Sequence, residues 1–287
     1  MEADLEGGWY AKAVEYWDAQ PATDDGVLGG HADAVSVADV QQSEAFLRKV
    51  LGPGKLEAGA AAGGGKQAAL TAADCGAGVG RVSKDLLLRF FAAVDLVEPS
   101  AHLLDAARSR LAAAVAADGG RLAGKPRAFV QSGLQAWKPA PGTYDVVWVQ
   151  WALLYLTDGE MGGGDGEEKV GGMDGWGMET GGGGLCFSCT PPPHAHTHSP
   201  LLFTHSADAI SFMRRAAAAL KPGGVLVVKE NIAAAGFVVD KDDRSLTRSH
   251  PYMLDLGRAA GLTAVADARQ RGFPAGLFGV RMYAWRG

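Results

Sequence analysis

Cysteine is scarce in this sequence: Cys75, Cys186 and Cys189 are the only three. So few thiols cannot build a disulfide framework, and a reducing compartment, cytoplasm or nucleus, is the expected home. Long apolar runs are missing as well, and none approaches the roughly 20 residues that a membrane-spanning helix needs. Basic charge is not in excess either. Against 27 lysines and arginines stand 32 aspartates and glutamates, a formal net charge of -5. That balance argues against direct nucleic-acid binding and suits a basic partner. Residues 1 to 20 open acidic, with Glu2, Asp4 and Glu6, and carry no basic start before an apolar core, so no secretory signal is expected. What remains, 47% hydrophobic and 21% charged over 287 residues, suits a chain with a sizeable core in one large domain or two small ones.

Apolar periodicity organises the chain. Trp9, Tyr10, Ala13, Tyr16 and Trp17 recur at helical spacing, and Pro21 with Thr23–Gly26 breaks that helix before a Leu28-Gly29-Gly30 turn. Val40–Leu51 reads as a second helix, closing an N-terminal extension over 1–51, and a Gly/Ala/Pro linker follows over 52–66. From 67 to 287 strands and helices alternate. Strands are expected at 68–74, 92–98, 127–131, 144–150, 225–229, 262–267 and 281–285, with helices at 81–91, 100–117, 207–220 and 253–260. Residues 230–252 read as a polar loop. The alternation implies an α/β fold with a largely parallel sheet covered on both faces.

Residues 159–206 interrupt this order with 48 residues, and 13 of the first 26 are glycine, a composition that cannot pack a core. Cys186, Cys189, His194, His196, His198 and His205 lie in its second half. They lack the second paired ligand set of a structural zinc site, so no metal is expected. The segment reads as a disordered insertion, or as a retained intron, because removing it restores a short connection after Leu156-Thr157-Asp158. Sequencing of mature message tests the latter.

The densest signal is Asp74-Cys75-Gly76-Ala77-Gly78-Val79-Gly80-Arg81, at a strand end and a helix start. Glycines there admit a ligand close to the backbone, and the helix start favours an anionic group. Glu98 ends the next strand about 20 residues on, where a carboxylate accepts ribose hydroxyls. Gly133-Leu134-Gln135 after the third strand and Tyr144-Asp145-Val146-Val147 opening the fourth favour S-adenosyl-L-methionine over a nicotinamide cofactor.

These motifs, with Tyr16-Trp17, Asp25-Gly26-Val27-Leu28-Gly29-Gly30, Trp148-Val149-Gln150-Trp151, Lys229-Glu230-Asn231, Asp240 and Asp243-Arg244-Ser245, span most of the chain. On them the chain resembles the protein N-terminal (alpha-N) methyltransferases of Xaa-Pro-Lys type, in the class I S-adenosylmethionine-dependent superfamily. The resemblance implies a doubly wound, Rossmann-like, seven-stranded mostly parallel sheet with an N-terminal helical extension over the substrate. It implies methylation of the α-amino group of basic N-terminal tails reading Xaa-Pro-Lys. Gly76, Gly78, Arg81, Glu98, Pro99, Ser100, Leu134, Gln135 and Gln150 are assigned by resemblance to the methyl donor. Trp17, Leu28, Gly29, Gly30, Trp151, Asp240 and Ser245 are assigned to the substrate, with Trp151 against its proline.

Asp243 and Asn231 stand as base and amine-orienting residue. An α-amine titrates near about 8, so a modest base suffices. A histidine normally precedes Leu-Thr-Asp in that family as a second base. Here Tyr155 stands there, and a phenol titrating near about 10 is a poor proton acceptor. Slower turnover or an altered pH profile is expected. Two other readings stay open: a small-molecule methyltransferase, and a catalytically impaired cofactor-binding protein that acts through partners.

Overall fold

The computed structural model describes residues 2–52, 54–57, 69–157 and 208–287. The extension comprises α1 (Glu2–Asp18), α2 (Asp24–Val27) and α3 (Ala32–Leu51). Thr23 caps α2 by accepting the Gly26 N–H, and Gly29 and Gly30 take positive φ to turn the chain towards α3. Helix α3 starts at Ala32 rather than at the expected Val40. Its buried stripe runs Val35, Asp39, Ser43, Phe46, Leu47 and Val50, and the polar Asp39 and Ser43 on that stripe hid the helical period.

The chain then alternates through β1 (Thr71–Cys75), α4 (Arg81–Asp85), β2 (Ala93–Glu98), α5 (Ala101–Ala116), β3 (Lys125–Gln131), β4 (Tyr144–Gln150), α6 (Asp208–Ala218) and β5 (Leu220–Ile232). It finishes with β6 (Phe237–Asp240), β7 (Ser245–Arg248), α7 (His250–Ala259), β8 (Thr263–Arg269) and β9 (Gly279–Arg286). Seven strands form one sheet in the order β3-β2-β1-β4-β5-β9-β8, parallel except at β9, which runs antiparallel to both neighbours. Val146, Trp148, Val225 and Val227 face a core shared with α3 and α5, while Val147, Val149, Leu226 and Val228 face one shared with α6 and α7. The sheet is therefore wound on both sides, and its order reverses between β1 and β4, where open α/β sheets bind ligands at the strands' carboxyl ends.

Three local expectations fail for physical reasons. The helix expected over 81–91 stops at Asp85, and Leu87–Arg89 form a 3-10 turn. Leu86, Leu87 and Leu88 are all buried, and one stripe of a regular α-helix cannot bury three consecutive residues. Strand β5 begins at Leu220 and absorbs Lys221-Pro222-Gly223-Gly224, with a register shift opposite Tyr144–Val146 that accommodates the proline. The expected polar loop over 230–252 instead holds the end of β5, the β6–β7 hairpin and the start of α7. Phe237 and Val238 of that hairpin are each 43% exposed, so burial imposes no alternation on β6.

Residues 159–206, with Cys186, Cys189 and their histidines, lie outside the described residues. Their flanks are joined: Ala209 N–H donates to the Thr157 carbonyl at 3.1 Å, and Tyr10 Oη hydrogen-bonds both Thr157 and Asp208. With 159–206 deleted, Ala209 becomes the fourth residue after Thr157, so this bond takes α-helical register with Thr157 as N-cap. The deletion variant is expected to melt no lower than the full chain. Loss of its cooperative transition would contradict the closure of these flanks. Among the described residues no helix is long and apolar enough to cross a membrane.

Candidate active site

A cavity of about 250 Å³ opens at the reversal point of the sheet. Its walls bring together every residue assigned from the sequence to the methyl donor, the substrate or catalysis except Gly29 and Gly30, which shape the turn behind Leu28.

The glycine loop forms one end. Gly76 and Gly80 both have φ +75, and a Cβ on Gly76 would stand 2.2 Å from the Ala152 Cβ, so the loop could not lie this close to β4 with a side chain there. Glu98 ends β2 with Oε2 accepting the Gly78 N–H and Oε1 accepting the Ser100 N–H, both at 2.9 Å. Each carboxylate oxygen keeps acceptor capacity for a hydroxyl. Burial pushes this carboxyl up to about 7 against those two bonds. Ser100 Oγ caps α5 and donates to Asp18 of α1. Arg215 of α6 donates to the carbonyls of Leu134, Gln135 and Trp137 and so pins the turn after β3.

Arg81, on the first turn of α4, is 4% exposed. Its Nη1 lies 2.7 Å from Asp39 Oδ2, yet that nitrogen makes no aligned hydrogen bond among the described residues. Gln150 Nε2 donates to both oxygens of Asp39, at 2.9 and 3.0 Å, and its Oε1 accepts the Trp148 indole N–H. The Gln150 amide is thus committed to the protein, and its backbone is what remains for a ligand. Lys229 also pairs with Asp39 and donates to Ser43. Burial pushes Asp39 up, but Lys229 and Arg81 more than offset it and hold the carboxyl below its ordinary range. Burial lowers the Lys229 ammonium to about 8 despite Asp39.

The other end carries acids and aromatics. Trp151 follows β4 with φ +52, a strained conformation for a bulky residue that costs about 1–3 kcal/mol. Glu230 holds it in place: its Oε1 accepts the N–H groups of Ala152 and Leu153 at 3.0 and 2.8 Å. The Trp151 ring lies 5.8 Å from the Arg81 guanidinium, between the two ends. Tyr155 Oη donates to Asp243 Oδ2 at 3.2 Å, and the Trp17 side chain hydrogen-bonds the Tyr155 hydroxyl. Burial, then the adjacent Asp243 charge, pushes the phenol well above its ordinary value, so it remains a donor. Ser245 also hydrogen-bonds Asp243, whose other oxygen, Oδ1, is buried with no hydrogen-bond partner among the described residues. Burial, then the neighbouring Asp240, raises the Asp243 carboxyl to about 6 despite the bonds from Ser245 and Tyr155. Asn231 and Asp240 line the same wall.

Residues 6–162 and 203–286 match the model of a family described as AdoMet dependent proline di-methyltransferases, passing over 163–202. The chain belongs to this family. An alpha N-terminal protein methyltransferase 1 from Arabidopsis thaliana is 39% identical over 96% of this chain and 79% of its own length. An N-terminal Xaa-Pro-Lys N-methyltransferase 1 from Danio rerio is 31% identical over 97% of this chain and 95% of its own. A solved SAM-dependent methyltransferase from Leishmania major superposes with TM-score 0.68 at 30% identity, covering 97% of this chain and 83% of that one. Family membership fits the donor set found here: an acid at the end of β2, a close-packed glycine loop, and a buried arginine with unaligned N–H groups.

Sequence reasoning gave no role to Asp39, Lys229 or Glu230. One signal for each was available, a charge on an otherwise apolar helix face or at the end of an apolar strand. The geometry of Tyr155 sets an expectation. Tyr155→Phe removes a hydrogen bond that stabilises the ionised Asp243, so the acid limb of the kcat profile moves up from about 6. A profile that stays in place would contradict the Tyr155–Asp243 contact.

Proposed function

We propose that this chain transfers methyl groups from S-adenosylmethionine to the α-amino group of proteins whose N-terminus reads Xaa-Pro-Lys. When bound, S-adenosylmethionine supplies a methyl group activated by a sulfonium. Glu98 takes the ribose hydroxyls, and Arg81 takes the carboxylate of the methionyl tail. The observation that carries the reading is Asp243 Oδ1, a buried acceptor without a hydrogen-bond partner among the described residues, in the same cavity as that donor set.

An α-ammonium placed at Oδ1 donates a hydrogen bond and gives up its proton there. Asp243 is mostly ionised at pH 7 with its carboxyl at about 6, so it can take that proton while Asn231 orients the nitrogen. Tyr155, locked as a donor, holds Asp243 and takes no proton itself. This site therefore works with one base. Trp151 offers an apolar face to a proline ring, and Asp240 a carboxylate to a lysine ammonium. Trp17 and α1 cover the cavity and limit access of water.

A peptide series tests the specificity. Ser-Pro-Lys-Arg should be methylated faster than Ser-Ala-Lys-Arg and far faster than Ser-Pro-Glu-Arg, whose acid faces Asp240. Equal rates on all three would remove proline and lysine recognition from the account.

A further inference from the structure

We infer that Asp39 is a positioning residue for the methyl donor, setting from the N-terminal extension the arginine that grips the donor's carboxylate. This rests on the placement of that carboxylate at Arg81 proposed above. Asp39 does not itself line the cavity. Its side chain is 2% exposed and reaches three residues from three different elements: Arg81 on α4, Gln150 at the end of β4 and Lys229 on β5. Two of these, Arg81 and Gln150, line the cavity.

The geometry of the cluster points to an outside anion. Asp39 is the carboxylate that directly contacts Arg81 and Lys229, while Asp74 and Asp24 act on Arg81 from further away. The Arg81–Asp39 contact is an ion pair at 2.7 Å through Nη1, which makes no aligned hydrogen bond among the described residues. Asp39 thus anchors one edge of the guanidinium while leaving donors free for a second anion, which a planar five-donor fork permits. The same side chain fixes the Gln150 amide, and with it the strand end beside the donor's tail. Placing this control in α3 makes donor affinity depend on docking of the extension, which no residue of the sheet domain alone provides.

The test compares two ligands by calorimetry. S-adenosylhomocysteine carries the amino-acid carboxylate; 5′-methylthioadenosine keeps the adenosine and lacks it. Asp39→Asn alone strands Lys229 as a buried unpaired charge, so the main variant is Asp39→Asn with Lys229→Met, its fold checked by thermal melting. The expected result is an S-adenosylhomocysteine Kd weakened about tenfold, with the 5′-methylthioadenosine Kd unchanged. Unchanged or tighter S-adenosylhomocysteine binding, or an equal loss for both ligands, would overturn the inference. The two readings separate in the native protein. If it binds both ligands equally, the carboxylate is not held at Arg81 and the donor placement itself fails. Native preference for S-adenosylhomocysteine that persists in the folded variant sinks only the role of Asp39.

Discussion

Asp243→Asn is expected to lower kcat by about two to four orders of magnitude while leaving S-adenosylhomocysteine affinity intact. Asparagine keeps the size of the side chain and can accept the Tyr155 hydroxyl, but it cannot take a proton from the attacking amine. The residual rate should rise with pH as more of the free amine loses its proton in solution, since α-amines titrate near about 8. In the native protein the rate instead falls as pH drops through about 6, where burial and Asp240 place the Asp243 carboxyl. A variant that retains native kcat would remove Asp243 as the base. One that loses donor binding in step would make its role structural.

Glu98→Gln is expected to weaken S-adenosylhomocysteine about 100-fold, the scale of two charge-assisted hydrogen bonds. The amide also turns an N–H towards Gly78 or Ser100, where the backbone already offers donors at 2.9 Å. The sign of the pH dependence follows from the same group. Burial lifts Glu98 from its ordinary value to about 7, and only the ionised form accepts both ribose hydroxyls and both backbone N–H groups. Native affinity should therefore decline as pH falls below about 7 and level off above it. Glu98→Gln should flatten that dependence. A pH-independent native Kd between 6 and 8 would contradict this placement of Glu98.

The donor end was legible in the sequence because its parts are local. Gly76, Gly78, Gly80 and Arg81 sit in one strand-to-helix turn, and Glu98 follows at the next strand end, so spacing alone brings them to one edge of a parallel sheet. Trp151, Asn231, Asp240, Asp243 and Ser245 were named through a family resemblance, and the cavity gathers them. What could not be read is what each buried charge meets. Asp39 lies 42 residues from Arg81 and 190 from Lys229, and only the docking of α3 against the sheet joins them. Glu230 has the same character: its carboxylate holds amides 77 and 78 positions away. The β6–β7 hairpin escaped because β6 is half-exposed and β7, Ser245-Leu246-Thr247-Arg248, is buried but largely polar, so neither strand shows a clean apolar alternation.

The most direct test is mass spectrometry of a Ser-Pro-Lys-Arg peptide incubated with S-adenosylmethionine and the purified protein, beside the same peptide with its N-terminus acetylated. The account predicts methyl-sized mass gains on the free-amine peptide alone. Equal gains on both peptides would place the methyl on a side chain, and no gain on either from protein that binds S-adenosylhomocysteine would contradict α-amino methylation outright.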